Sequence, residues 1–261
     1  MLLDNALLCL SAVLAGAMNA IAGGGTLVTF PALYAILGTS GEAARIANCT
    51  NTVALLPGAL AAAWGYRREL SASRRWMVWL AAPSILGGLI GSLLLTEFSP
   101  DTFKKLVPWL ILTAALLFAI QPYVARWTGI GKPHATPTRQ TIAAIISFHF
   151  LVSVYGGYFG AGIGILMLSA LAMMGLSDIH VMNGLKTVLN ALINGVSAVW
   201  FIWKQDVNWH YALMMMVAAI IGGYFGAHVA RRLDKNVVRR IVVVIGFSLA
   251  AYEFYRQVKG A

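Results

Sequence analysis

Eight long apolar runs, each nearly free of charge, occupy most of this sequence and leave little chain for anything else. They cover 3–21, 43–65, 76–96, 102–121, 140–157, 181–203, 209–229 and 236–256, with two shorter apolar segments at 26–37 and 165–176. A transmembrane helix needs about 20 mostly apolar residues. The 261 residues therefore hold eight to ten such segments and are expected to carry no extramembrane domain. Only 11% of residues are charged, against about 25% in a soluble domain. Too little polar surface exists to cover a water-soluble globule, which excludes a soluble enzyme, a secreted disulfide scaffold and a single-anchor receptor. An all-α polytopic membrane protein is predicted.

Nineteen Lys and Arg against nine Asp and Glu give a net charge of +10. In a soluble chain that excess would point to nucleic acid. Here the basic residues lie in short stretches between apolar runs, so the positive-inside bias of membrane proteins explains them and no nucleic-acid partner is expected. Cys9 and Cys49 both fall inside apolar runs, with neither a disulfide nor a metal-ligand spacing in prospect. No cleavable signal is apparent, because the first run leads into a glycine turn rather than a small-residue cleavage site. No cofactor motif, phosphate loop, metal cluster or Ser/His/Asp arrangement is visible.

The order of features recurs. Each half has an apolar run, a glycine break, a short apolar segment and three further long runs; the breaks are Gly23-Gly24-Gly25 and Gly160 to Gly164. An offset of 139 places Gly23 on Gly162, Gly25 on Gly164, Leu27 on Leu166, Asn51 on Asn190, Ala59 on Ala198 and Trp64 on Trp203. After a four-residue slip, Gly87, Gly88 and Gly91 fall on Gly222, Gly223 and Gly226, and Lys104-Lys105 on Arg239-Arg240. Transporters are often built from such repeats. The division reads as a first membrane repeat at 1–121, a cytoplasmic linker at 122–139 with three prolines and two glycines, and a second membrane repeat at 140–261.

Charge sets the orientation. The basic residues Arg67, Arg68, Arg74 and Arg75, then Arg126, Lys132 and Arg139, then Arg231, Arg232, Lys235, Arg239 and Arg240 form three clusters expected on the cytoplasmic side. An even number of crossings must separate the second cluster from the third. That holds when the run at 140–157 and the short segment after it form a hairpin dipping in and out, or two full crossings. Each repeat then crosses an odd number of times, the halves are inverted, and both termini lie outside.

Backbone that departs from helix at membrane depth is tolerated only where it is buried or lines a cavity. A short helix that starts at such a break aims unpaired N–H groups and a partial positive charge at that cavity. Gly23, Gly24, Gly25, Gly162 and Gly164 are therefore candidate substrate contacts. Polar residues concentrate on two runs: Arg45, Asn48, Asn51 and Thr52 on 43–65, and Lys186, Thr187, Asn190 and Asn194 on 181–203. Amides facing lipid would be costly, so both stripes are expected to face inward, with Asn51 and Asn190 as a symmetry-related pair of hydrogen-bond donors. Lys186 lies too deep for a loop residue; an intramembrane cation is a functional candidate, and Arg45 is its approximate counterpart. Two cations and two short-helix ends around one cavity indicate a small anionic substrate. His149 and His228 are intramembrane and serve either as proton relays or as structural hydrogen-bonders. Gly87, Gly88 and Gly91, and their counterparts on 209–229, serve either the site or close helix packing.

The stretches AGAMNAIAGGGTLVTFPAL, NCTNTVALLPGAL and GYRREL resemble the TauE/SafE sulfite exporter family of transmembrane permeases. YFGAGIGILM and GLKTVLNALINGVSAVWF are similar to that family's second repeat. The resemblance covers nearly the whole chain and implies two inverted helical repeats that move sulfite, organosulfonates or related sulfur anions, mostly outward. The expectation is a secondary transporter in the cell (inner) membrane that works by alternating access; with no ATP-binding domain in this sequence, any pumping is expected to use an ion gradient, of protons or sodium, or a partner. A permease or channel for another anion, such as a carboxylate, is the rival reading; a membrane-embedded enzyme is a third, which lacks a catalytic constellation.

Overall fold

A computed structural model describes residues 2–21, 24–38, 40–67, 74–127, 139–174, 176, 178–229 and 235–259. The side chains of 2, 20, 21, 121, 124, 125, 179, 224–229, 235–239 and 241 are not described. Among the described residues every regular element is a helix: α1 Leu2–Ile21, α2 Thr26–Leu37, α3 Gly41–Gly65, α4 Arg74–Glu97, α5 Pro100–Trp127, α6 Arg139–Tyr158, α7 Ile163–Met173, α8 Ile179–Trp203, α9 Trp209–Val229 and α10 Lys235–Lys259. Local chemistry sets several ends. Ser40 caps α3 by accepting from the Ala43 N–H at 3.1 Å. Asp178 caps α8 by accepting from His180 N at 2.8 Å. Each satisfies N–H groups that have no partner within the helix.

One boundary differs from the sequence reading. Helix α5 continues through Pro122 to Trp127, so the first six residues of the stretch taken as linker are helical. Proline removes one hydrogen bond but is tolerated inside membrane helices, and α2, α3 and α4 also carry internal prolines at Pro31, Pro57 and Pro83. Residues 128–138 lie outside the described part.

This is an all-helical polytopic membrane protein. α3, α4, α6, α8 and the Pro100–Ile120 part of α5 are long and apolar enough to cross a bilayer. Large apolar side chains face outward at mid-helix: Leu116, Leu151 and Val217 are 44%, 63% and 61% exposed. Such a surface suits hydrocarbon rather than water. Trp64, Trp127, Trp203 and Trp209 are exposed at helix ends, where aromatic belts sit. The polar residues are inside instead: Thr29, Asn48, Thr50, Asn51, Ser84, Ser92, His149, Ser153, Lys186, Thr187 and Ser197 are buried.

Helices from the two halves interleave. α1 packs on α9 and α4 on α6; α3 packs on α9 and α8 on α4; α3 meets α8, and α5 meets α10. Exchanging α1–α5 for α6–α10 leaves this pattern of pairs unchanged. Glycines make the closest approaches. A Cβ on Gly222 would lie 2.0 Å from the Val13 carbonyl oxygen, and one on Gly91 2.1 Å from that of Val154. Those glycine clusters serve helix packing.

The helix ends sort into two faces. On one, Arg45 at the start of α3 pairs with Asp206 after α8, Lys204 pairs with Glu97 at the end of α4, and Gln257 of α10 donates to the Lys104 carbonyl of α5. Arg256 lies over the ring of Tyr34 near the end of α2. Gly25 sits against Ala15, so α2 doubles back on α1 and the chain's first helix starts at this face as well. It is called the terminal face below. On the opposite face, Leu80, Ile145, Met174 and Met182 form one cluster near the starts of α4, α6 and α8 and the end of α7. The described members of the three basic clusters, among them Arg67, Arg74, Arg126 and Arg139, belong to helix ends on this linker face. Arg68, Lys132, Arg231 and Arg232, and the side chains of Lys235 and Arg239, fall outside the described residues.

Candidate functional site

Both glycine breaks are sharp reversals in the middle of the helix bundle. At the first, Gly24 has φ of 147°, a left-handed conformation that favours glycine, and a Cβ there would strike the Phe118 ring. The Asn19 side chain closes the turn: its Oδ1 accepts from Gly24 N at 3.0 Å and Gly25 N at 2.9 Å. At the second break, Gly160 and Gly162 have φ of 79° and 78°. Tyr155 donates its hydroxyl to the Ala161 carbonyl at 2.9 Å, and α7 begins at Gly162 with no side-chain cap.

A cleft of about 30 Å³ opens between these breaks and the middle of α3 and α8. Asn19, Gly24 and Thr26 line it from the first break, Thr52, Leu55, Ala59 and Ala62 from α3, Phe159, Gly160, Ile163 and Gly164 from the second break, and Lys186, Thr187, Asn190 and Asn194 from α8. Of the residues expected from sequence, Lys186, Thr187, Asn190, Asn194, Thr52, Gly24 and Gly164 are brought together here. Lys186 is 2% exposed. Its Nζ donates to Asn183 Oδ1 at 3.2 Å, and no carboxylate lies within ion-pair distance among the described residues. Asn194 donates to Asn190 Oδ1 at 3.1 Å, and Thr187 to the Asn183 carbonyl at 2.7 Å. The Nδ2 groups of Asn190 and Asn19 donate to no described residue. The cleft thus offers one full positive charge, two unspent amide donors and an uncapped helix start, with no acid on its walls: a surface for an anion.

The other expected residues sit elsewhere. Asn51 is buried against α2, where its Oδ1 accepts from Thr29 and its Nδ2 donates to Thr26 Oγ1 at 3.4 Å. Asn48 donates to the Tyr158 carbonyl at 2.9 Å. Gly25 packs on Ala15, and Gly162, at the N-cap position of α7 with no side chain to cap it, is not among the residues that line the cleft. Gly23 lies outside the described residues. Arg45 stands at the terminal face rather than in the cleft, and bonds Glu42 at 2.8 Å and Asp206 at 3.1 Å. Burial pushes the Asp206 carboxyl up from the usual range, and Arg45 offsets part of that. The site therefore holds one of the two cations, not both. His149 is buried between α6 and α4, with its Nε2 2.8 Å from Ser84 Oγ; the side chain of His228 lies outside the description. Cys9 and Cys49 are free thiols.

Asn19 and Thr26 are polar cleft residues that the sequence reading missed; Asn19 is the more informative. It stands in the AGAMNAIAGGG stretch, five and six residues before the glycines it binds, a spacing that no helical face explains.

Asn51 and Asn190 should separate in experiment although they align. Asn190→Ala should weaken anion binding by roughly one to two decades, the cost of about 1–3 kcal/mol for a lost buried partner. Asn51→Ala should leave the affinity within a factor of about two and lower the thermal stability instead, since its bonds hold α2 to α3. Isothermal binding and thermal denaturation of the two purified variants distinguish these outcomes; equal affinity losses would put both side chains on the substrate.

An apolar helical body with a polar cleft at its centre, lined by Lys186 and by the helix breaks of both halves, defines the class of polytopic membrane transporters. Within that class the chain belongs to the sulfite exporter TauE/SafE family, which it matches over residues 8–253. A "Probable membrane transporter protein" of Haemophilus influenzae is 29% identical over 245 residues, covering 92% of this chain and 90% of that protein. "Probable membrane transporter protein YfcA" of Escherichia coli K12 is 25% identical over 246 residues, covering 94% and 87%. "Probable membrane transporter protein ORF9" of a Sinorhizobium species is 27% identical over 248 residues, covering 94% and 90%. No solved structure matches the chain.

Proposed function

We propose that the protein is a secondary transporter, and in direction an exporter, for a small sulfur-containing anion such as sulfite or an organosulfonate. Its two halves act as inverted repeats that expose the cleft alternately to each side. The observation that carries this reading is Lys186, a buried ammonium with no carboxylate beside it among the described residues, facing the space between the two helix breaks. A bound anion completes its electrostatics. The sulfur anion is supported by the family to which the chain belongs. A space of about 30 Å³ holds about one water, so this conformation is closed and the substrate enters only when the halves move apart. The exchange symmetry of the helix pairs supports the repeat reading. Clustering of basic helix ends on the linker face supports placing that face in the cytoplasm and both termini outside, in the cell (inner) membrane.

Flux in proteoliposomes tests the reading. Labelled sulfite should enter saturably and be competed by excess sulfite, sulfoacetate or thiosulfate, with acetate a weak competitor. Dominant competition by acetate would reassign the cleft to carboxylates, and unsaturable conductance would make it a channel. Imposed proton and sodium gradients in the same vesicles identify the coupling ion. In cells, an impermeant thiol reagent should label Gln257→Cys and spare Arg126→Cys; the reverse result inverts the proposed orientation.

A further inference from the structure

The polar stripe of α3 does not stop at the cleft. Thr52 lines the cleft. One turn toward the terminal face, Asn48 binds the Tyr158 carbonyl beside the cleft residues Phe159 and Gly160, yet its Oδ1 is buried without a partner. Another turn outward, Arg45 Nη2 bonds Asp206 and Glu42, and Nη1 donates to the Thr96 carbonyl at 3.4 Å, while its Nε is buried without a partner. The side chains of Arg45 and Asp206 are 17% and 12% exposed, so the pair is sheltered but reachable. Asp206 lies in the α8–α9 connection, so this ion pair ties the first half of the chain to the second.

We propose that Arg45 is a second station for the transported oxyanion, lying between the cleft and the terminal face, and that Asp206 occupies it while that side is closed. The inference rests on the anion-transport reading above. A guanidinium grips an oxyanion with two parallel N–H groups. Here the Nη2 group is taken by carboxylates while the Nε–H is unspent, so half of the fork is free. An oxyanion arriving from the cleft engages Nε and competes with Asp206 for the rest, and its success frees the α8–α9 connection from α3. Lys204 and Glu97, paired at 2.7 Å, hold the same connection to α4 and share in the closure. The free Asn48 Oδ1 accepts from water that accompanies the ion. A purely structural ion pair would account for the Arg45–Asp206 bond but not for two buried, unspent polar atoms on successive turns leading to the cleft.

The test uses the full protein in proteoliposomes, with Cys9 and Cys49 replaced by Ala and Thr52→Cys as the reporter. An impermeant maleimide is applied from the terminal face. Asp206→Asn should speed labelling of the reporter about two- to fivefold, the scale of losing a partly exposed pair. Arg45→Gln, with Thr52 intact, should raise the sulfite concentration for half-maximal flux about tenfold. Exchanging the pair, Arg45→Asp with Asp206→Arg, should restore slow labelling without restoring sulfite affinity, which a fold defect cannot do. Unchanged labelling in Asp206→Asn, or unchanged half-saturation in Arg45→Gln, overturns the station. If the parent protein moves no anion saturably, the transport reading fails instead, and the labelling comparison still reports on the closure.

Discussion

Lys186→Met should remove saturable anion transport while the protein still folds and inserts. The substitution keeps the length and apolar stem of the side chain and deletes only the charge. Lys186 is 2% exposed and holds one neutral partner, Asn183 Oδ1 at 3.2 Å. A buried ammonium without a counter-charge among the described residues is costly; on the proposed reading a bound anion relieves that cost. Charge-assisted hydrogen bonds contribute about 1.5–3 kcal/mol, so affinity should fall by at least tenfold. Lys186→Arg keeps the charge but replaces a compact ammonium with a planar fork, and should retain part of the activity. The alternative is that Lys186 only snorkels to the linker face and anchors α8 there. Its burial and its place on the cleft wall argue against that. Binding measured at several salt concentrations decides: the parent's affinity should weaken with salt and the methionine variant's should not, and an unchanged affinity in Lys186→Met would end the anion-partner assignment.

The asymmetry of the cleft shows what could be read from the sequence and what could not. Helices α2 and α7 were legible because glycine breaks interrupt apolar runs, and their observed spans, Thr26–Leu37 and Ile163–Met173, follow the breaks closely. Equivalence of Asn51 and Asn190 was also legible, but not their difference in role. That difference comes from the facing short helix. The offset of 139 that aligns the two amides also places Thr26 on Ile165 and Thr29 on Leu168. Two hydroxyls on α2 consume Asn51, whereas aliphatic residues at the matching places on α7 leave Asn190 Nδ2 unspent. The signal was present in the sequence, but only after the pairing of α2 with α3 is known. Lys186 likewise aligns with Ala47, so the charge belongs to one half alone. Arg45 was placed in the site because its face of α3 is polar; the acid that holds it, Asp206, is 161 positions away, and no local pattern announces such a pair. Asn19 was missed for a related reason, since its partners are backbone N–H groups across a turn.

Gly222→Val should be among the most destabilising single substitutions in the chain. Without a hydrophobic driving force between helices in lipid, close van der Waals contact carries the association, and small residues set how close the backbones come. At the α1–α9 contact the approach is made from both sides. A Cβ on Gly222 would meet the Val13 carbonyl oxygen at 2.0 Å, and one on Gly16 would meet the Ala219 carbonyl oxygen at 2.3 Å. The obstructing atoms are backbone, so no rotamer change relieves them, and the helices must separate along their length. Overpacking costs about 1–3 kcal/mol where side chains can yield, and occasionally more; here the upper end or beyond applies. The apparent unfolding midpoint in detergent should drop by about 5 °C or more. Gly195→Ala is the matched control. It sits mid-helix in α8 with nothing within 4 Å of a Cβ, so the better helix propensity of alanine should leave the midpoint level or raised. If Gly222→Val melts with the parent, α1 and α9 are not packed through their glycines, and the interleaving of the two halves around the cleft would have to be redrawn.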